Sequence, residues 1–265
     1  AKKKGPLVNR LNKKINLIDF NKKKTSNSVF ILANYFLENK PDIFFTALHN
    51  SNIVASISHK IARSKSTLVL KECNNFSEKI KKMNFIEKFL IKFLINLTYT
   101  RSNYIIAPSK GIKKDFLNYF KKFYYKTKVI YNPISVKQII KNSKIKRKLL
   151  FKKNFIISIG RLEKQKNYEC LIKAFNLLKL KNLFLVIIGE GKERKNLSNL
   201  INKLCLNLRV KLIGYNKNPF YYLYKSKLFV LSSNFEGMPN SLLEAMALNK
   251  KIVSTNCNYG PSELL

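Results

Sequence analysis

Phe155-Ile156-Ile157-Ser158-Ile159-Gly160-Arg161-Leu162-Glu163-Lys164-Gln165-Lys166-Asn167 sets the pattern for the whole chain. Its first five residues are a nearly continuous apolar run rather than an alternating one, and such a strand is covered on both faces, as in a parallel sheet. Gly160 ends the run, a basic loop follows, and Asn167 suits the N-cap of a helix beginning at Tyr168. Arg161 and Lys166 fall between strand and helix N-terminus, where backbone N–H groups and the helix dipole favour an anion. Arg grips phosphate oxygens bidentately and Lys adds a point charge. In a chain with 52 Lys and Arg, the pair signifies through its position alone.

Outward from this unit the same alternation continues. Apolar runs predict strands over Asp42–Ala47, Thr67–Leu70, Tyr104–Ala107, Lys128–Tyr131, Asn154–Ile159, Leu183–Ile188, Arg209–Ile213, Leu228–Ser232 and Lys251–Thr255. Helical patterns occupy Ser28–Asn39, Ile53–Ala62, Lys79–Leu97, Gly111–Phe120, Tyr168–Leu178, Glu193–Leu206 and Ser241–Leu248. Repeated βαβ implies a doubly wound α/β chain. The rhythm breaks once, in the polar, Lys-rich segment Ser135–Lys153, which places a domain boundary after residue 140 and predicts two Rossmann-like domains, 1–140 and 141–265. In the first, Ile80, Met83, Ile86, Phe89, Leu90, Phe93, Leu94 and Leu97 recur at helical spacing beside several lysines. A core-facing helix and a basic helix lying on a membrane interface both fit that pattern.

Composition narrows the class. A 46% hydrophobic content supports a packed core, and the net charge of +38 attracts polyanions in general. The lysines are spread over nearly every segment together with many Asn, Ile, Phe and Tyr and no Trp, which is the imprint of A+T-rich coding rather than of a nucleic-acid stripe; an anionic membrane surface is the better expectation. Cys73, Cys170, Cys205 and Cys257 lie far apart without a C-x-x-C pair, so neither a zinc site nor a disulfide framework is indicated and a cytoplasmic setting is expected. Asp19, Asp42 and Asp115 are the only aspartates, so no D-x-D pair can hold a divalent metal on a diphosphate; cations and helix N-termini would have to neutralise it. The absence of a G-x-x-x-x-G-K-[ST] loop and of a complete G-x-G-x-x-G argues against a P-loop nucleotidase and a nicotinamide dehydrogenase.

Near the other end, Phe235-Glu236-Gly237-Met238-Pro239-Asn240-Ser241-Leu242-Leu243-Glu244-Ala245-Met246-Ala247 sets Glu236 and Glu244 eight positions apart across a loop-to-helix boundary. Pro239 suits the first helical position and good helix formers follow. At about 1.5 Å rise per residue the carboxylates stand roughly 8–9 Å apart along the axis, too far to act on one atom and better suited to two parts of one elongated ligand. A surface loop leading into an ordinary helix explains the same residues. Gly189 and Gly214 each end a strand, where they permit close approach of a ligand or simply a turn. His49 and Glu72-Cys73-Asn74 follow strands in the first domain, at the carboxyl ends where a site would lie; for a lone His a structural role is the commoner reading.

Taken together these segments resemble the family 4 glycosyltransferases, retaining enzymes with two Rossmann-like domains known as the GT-B fold. The likeness rests on Ile105-Ile106-Ala107-Pro108-Ser109, Val129-Ile130-Tyr131-Asn132-Pro133-Ile134, Gly160-Arg161-Leu162 through Lys166-Asn167, and Ile187-Ile188-Gly189-Glu190-Gly191. It continues through Glu236 to Glu244, the family's E-x7-E motif, and Gly260-Pro261-Ser262-Glu263. The resemblance implies that Arg161 and Lys166 bind a nucleotide diphosphate, Glu236 touches the donor sugar and Glu244 holds the ribose. Gly160, Gly189 and Gly214 would line the donor site, and backbone groups at Gly237, Met238, Asn240, Ser241 and Leu242 would contact sugar and phosphate. His49, Glu72 and Asn74 are the acceptor-side candidates.

The implied reaction is metal-independent transfer of a hexose or N-acetylhexosamine from a UDP-sugar to a lipid-linked oligosaccharide or cell-surface polysaccharide, by a peripheral protein at the inner face of the cell membrane, without a cofactor. The family's opening strand with its glycine-rich loop does not precede Ala1, and its closing strands and helix do not follow Leu265. The chain is therefore expected to be cut at both ends, with both domains incomplete and the isolated segment impaired. Two other readings share these residues. A sugar-nucleotide epimerase of the same fold would release free epimerised sugar, and a polyanion-binding protein would bind nucleic acid with a steep salt dependence indifferent to Glu236→Ala.

Overall fold

The structure, a computed structural model, describes residues 8, 11, 12, 14–146, 149 and 154–265. It divides into two compact units, Ala1–Tyr131 and Asn132–Leu265.

The first unit runs α1 (Val29–Asn39), β1 (Ile43–Ala47), α2 (His49–Ile61), β2 (Thr67–Lys71), α3 (Phe76–Lys81), α4 (Phe85–Thr98), β3 (Tyr104–Ala107), α5 (Lys110–Tyr119) and β4 (Thr127–Val129). Its four strands are parallel in the order β1-β2-β3-β4, and Leu68, Leu70 and Ile105 at the sheet centre are fully buried among Phe36, Phe76, Ile95, Tyr99 and Phe116. Each strand falls where the apolar runs predicted.

The helix predicted over Lys79–Leu97 is instead two helices. Asn84 breaks it by forming a capping box: its side chain accepts from the Glu87 N–H at 2.8 Å while the Glu87 carboxylate accepts from the Asn84 N–H at 3.0 Å. The core-facing expectation also fails for most of its apolar positions. Ile80 is buried and Met83 and Leu94 pack against the core, but Ile86, Phe89, Leu90, Phe93 and Leu97 are exposed; Ile91, Ile95 and Thr98 occupy the inner face of α4. A helix apolar on both sides cannot show by periodicity which side is inside.

The second unit runs α6 (Val136–Ser143), β5 (Phe155–Ile159), α7 (Tyr168–Leu177), β6 (Phe184–Ile188), α8 (Arg194–Lys203), β7 (Val210–Leu212), α9 (Phe220–Lys225), β8 (Leu228–Leu231), α10 (Asn240–Ala247) and β9 (Lys251–Ser254). All five strands are parallel, ordered β7-β6-β5-β8-β9. Strands β5, β6 and β7 step outward in one direction, then the chain returns to the opposite side of β5 for β8. The reversal puts a topological switch point between the carboxyl ends of β5 and β8.

Two separate apolar clusters cover the two faces of this sheet. Ile156, Leu185 and Ile187 pack toward Leu171, Ile172 and Leu197, while Phe155, Ile157, Val186 and Phe229 pack toward Leu223, Leu242 and Ala245. Burial of both faces is why the strands read as unbroken apolar runs. Ser158, the one polar interruption in β5, donates its hydroxyl to the Val230 carbonyl at 2.6 Å.

The unit boundary falls earlier than residue 140 because α6 packs on α9 and α10, with the Asn218 amide donating to the Asn142 carbonyl at 3.0 Å. Part of the expected polar connector, residues 147, 148 and 150–153, lies outside the described residues.

Candidate active site

At the switch point the loop after β5 and the loop after β8 are joined along their length. The Gln165 amide donates to the Phe235 carbonyl at 2.9 Å, the Asn234 N–H to the Gln165 carbonyl at 2.8 Å and the Asn234 amide to the Lys164 carbonyl at 3.1 Å. Asn167 donates to the Asn234 side chain at 2.9 Å and Ser232 to the Lys166 carbonyl at 2.8 Å. Asn167 holds a left-handed backbone and caps α7, as its position in sequence predicted, by accepting from the Cys170 N–H at 3.4 Å.

This seam delivers two charges to one point. Lys166 Nζ lies 2.6 Å from Glu236 Oε1, with side chains 13% and 7% exposed, so water screens the pair little. The Ser233 hydroxyl donates to the same carboxylate oxygen at 2.6 Å and is itself buried. The sequence singled out Lys166 and Glu236 but not Ser233, whose only signal was its place three residues before the glutamate. Arg161 is exposed at the mouth of the same loop. Behind the pair, the Tyr168 hydroxyl is buried and held protonated, its pKa raised chiefly by desolvation and further by the Glu236 charge.

Glycine is required where these loops close. A Cβ on Gly160 would meet the Tyr168 hydroxyl at 2.8 Å and Lys166 Cε at 3.0 Å; one on Gly189 would lie 1.8 Å from the Gly160 carbonyl oxygen. The nearest neighbours of both glycines are thus protein atoms.

Pro239 does not take the first helical position but precedes it, with α10 starting at Asn240. Gly237, Met238 and Leu242 are buried, Ser241 and Glu244 half-buried and Asn240 exposed, so Glu244 sits one turn into the helix that follows the Glu236 loop. Two further segments hold that loop. The Asn132 amide donates to Asn240 Oδ1 at 2.8 Å and lies 3.4 Å from the Met238 carbonyl, and Gly260 packs on Gly237 and Pro239, where a Cβ would be 2.9 Å from the Gly237 oxygen.

Beside this site a groove of about 480 Å³ is lined by Glu163, Glu169 and Glu193 against a single lysine, Lys164, a poor environment for a diphosphate. Among the described residues no group of three or more His, Cys, Asp or Glu is placed to hold a metal ion, and no helix is long and apolar enough to cross a membrane.

In the first unit a second buried carboxylate marks the carboxyl ends of β1 and β2. Glu72 is 1% exposed; His49 Nδ1 lies 2.5 Å from its Oε2, and its Oε1 accepts from the Tyr99 hydroxyl at 2.6 Å and the Asn52 amide at 3.0 Å. Desolvation and the neighbouring carboxylate raise the Tyr99 pKa well above its ordinary value, so it remains a donor. His49 is the first residue of α2 rather than a loop residue, and Leu48 before it adopts φ 78°, a strained conformation for a leucine. Asn74 is exposed and outside this network; the buried amide is its neighbour Asn75, whose side-chain atoms have no partner among the described residues, as does His49 Nε2.

Two parallel-sheet units, the second reversed at a switch point, are the two Rossmann-like units of the GT-B fold. Residues 141–265 match the model of the glycosyl transferases group 1.

The chain is 36% identical over 223 residues to a Campylobacter jejuni enzyme named N-acetylgalactosamine-N,N'-diacetylbacillosaminyl-diphospho-undecaprenol 4-alpha-N-acetylgalactosaminyltransferase, covering 84% of this chain and 60% of that one. An uncharacterized glycosyltransferase of Methanocaldococcus jannaschii is 33% identical over 240 residues, covering 86% and 59%. The chain thus spans about 60% of the length of these relatives. Anabaena Alr3699/HepE, solved in complex with UDP and glucose, shares the fold with a TM-score of 0.76 at 22% identity, over 89% of this chain and 64% of that one.

Proposed function

We propose that the protein is a retaining glycosyltransferase that moves a hexose or N-acetylhexosamine from a UDP-sugar to a lipid-linked oligosaccharide or cell-surface polysaccharide, without a metal, as a peripheral protein at the inner face of the cell membrane. The observation that carries this reading is the Lys166–Glu236 contact of 2.6 Å at the switch point, with Glu244 on the next helix. The names of the Campylobacter relative and of the UDP-bound Anabaena structure support the acceptor and donor classes.

In this reading the diphosphate lies against Lys166 and Arg161, the transferred sugar against Glu236, and the ribose against Glu244. Contact between Lys166 and Glu236 then puts the bond from anomeric carbon to phosphate beside both. As that bond breaks, negative charge grows on the leaving diphosphate, and a preorganised ammonium stabilises it most in that state. Backbone groups of Gly237, Met238, Asn240, Ser241 and Leu242 complete the donor contacts. Retention follows when the acceptor hydroxyl attacks from the face the diphosphate leaves and a phosphate oxygen takes its proton. On the acceptor side, the unpartnered Nε2 of His49, oriented by Glu72, is the candidate to receive a hydroxyl.

The test is radiolabelled sugar transfer from a UDP-sugar to an undecaprenol-diphosphate-linked acceptor by the natural full-length protein. Glu236→Ala and Lys166→Ala should each abolish transfer, and an unchanged rate in either sinks the assignment. Free epimerised sugar in place of glycosylated acceptor would favour the epimerase reading.

A further inference from the structure

The outer side of α4 is covered with large apolar side chains. Phe85, Ile86, Phe89, Leu90, Phe93 and Leu97 are 82%, 75%, 67%, 53%, 53% and 54% exposed. At 3.6 residues per turn they fill about 140° of arc, opposite the buried Ile91, Ile95 and Thr98. Phe89 and Phe93 stack with ring centroids 6.4 Å apart and planes at 13°, giving a flat apolar surface rather than scattered residues. A contiguous patch of this kind on a water-facing helix marks a binding surface.

Charge says what covers it. One border of the apolar arc is formed by Lys88 and Lys92, the latter with its ammonium 5.1 Å from the Tyr119 ring centroid. Exposed Lys122 donates to the Asn96 carbonyl near the end of the helix at 2.8 Å, and Lys82 is exposed just before the helix. The one acidic residue of α4, Glu87, is turned back to cap Asn84. An apolar stripe bordered on one side by ammonium groups fits the boundary between acyl chains and anionic headgroups.

We propose that this face of α4 docks the protein on an anionic lipid surface, with Phe85, Phe89 and Phe93 inserted between acyl chains and Lys82, Lys88, Lys92 and Lys122 at the headgroups. The proposal deepens the membrane-acceptor reading above by naming the surface through which that protein meets its membrane.

The experiment is co-sedimentation of the chain with vesicles of phosphatidylcholine containing one-third phosphatidylglycerol, at physiological salt, where charge attraction alone is strongly screened. Phe89→Ser/Phe93→Ser preserves the net charge and should lower the partition coefficient at least tenfold; Lys82→Gln/Lys88→Gln should remove the preference for anionic over neutral vesicles. Phe89, Phe93 and Lys82 are exposed and Lys88 is half-buried, and unaltered circular dichroism verifies the fold. Equal partition of parent and Phe89→Ser/Phe93→Ser overturns the proposal. So does a parent that binds no vesicles but forms a dimer that the same substitutions dissolve, which would make a second copy the occupant. Vesicle binding retained in a protein that transfers no sugar leaves this surface standing and removes the enzyme reading instead.

Discussion

Lys166→Met tests whether the switch-point pair is a preorganised buried unit. The substitution keeps most of the side-chain volume and removes the ammonium, leaving the Glu236 carboxylate at 7% side-chain exposure with the Ser233 hydroxyl 2.6 Å away. Removing one partner of a buried ion pair costs about 3–5 kcal/mol, and the retained hydroxyl puts the expected loss at the low end, near 3 kcal/mol. Glu236→Gln should cost less, about 1–2 kcal/mol, because the amide still accepts from Ser233 and Lys166, at 13% exposure, can turn toward water. The double variant contains neither charge, so its loss should fall short of the sum of the two by about 2 kcal/mol. Urea unfolding followed by circular dichroism measures this, fitted with two transitions because the chain has two compact units. With a slope of about 1–3 kcal/mol per molar urea, Lys166→Met should lower the midpoint of one transition by about 1 M or more. A shift under about 0.3 M, or losses that add within about 0.5 kcal/mol, would refute the buried-pair reasoning.

The two strand-end glycines separate fold from site: Gly189→Ala drives a Cβ to 1.8 Å from a backbone oxygen and should destabilise the second unit outright, whereas Gly160→Ala meets side-chain atoms at 2.8 and 3.0 Å. The latter should lower the urea midpoint less than Gly189→Ala does and weaken UDP binding measured by calorimetry, through displacement of Lys166. Tyr99→Phe removes a donor from the buried Glu72 and should cost about 1.5–3 kcal/mol in the first unit. Because folding raises the Tyr99 and Tyr168 pKa values, their contribution is complete below the unfolded tyrosine value and is lost as pH rises above it. Thermal melts should show stability falling beyond about pH 10, and Tyr99→Phe should flatten part of that fall. Transfer should survive chelation by EDTA at full rate; a requirement for added divalent cation would overturn the metal-free part of the proposal.

The strands were legible because parallel strands covered on both faces leave an unmistakable apolar signature, as in Phe155–Ile159 and Phe184–Ile188. Asn167 and the placement of Lys166 and Glu236 were legible too, since each depends on local spacing. The break at Asn84 had a readable signal, an Asn three residues before a Glu at the head of an apolar run, but the apolar periodicity on both sides masked it. Short α9 and α6 carry too few turns to stand out from a polar background. What no local pattern contains is partnership across long sequence separations: Ser233 on Glu236 follows from the loop's shape, while Tyr99 on Glu72 and Asn132 on Asn240 join residues that only the fold brings together.

The two units arrive separately at the same solution for a buried carboxylate. Glu236 lies beyond the end of β8 with an ammonium and a hydroxyl on one oxygen; Glu72 follows β2 with an imidazole on one oxygen and a phenol and an amide on the other. In a chain with 52 basic and 14 acidic side chains the surrounding field is positive, which lowers the cost of burying an anion and raises that of burying a lone cation. Each glutamate is therefore well placed to hold one cationic or protonatable group fixed at the carboxyl end of a parallel sheet, aimed by a hydroxyl that does not itself titrate near neutral pH. A group fixed in this way needs no reorganisation when charge develops on a substrate, which is the condition under which electrostatic stabilisation accelerates bond breaking. The His49–Glu72 pair, whose Nε2 has no partner among the described residues, meets that condition as fully as the Lys166–Glu236 pair does.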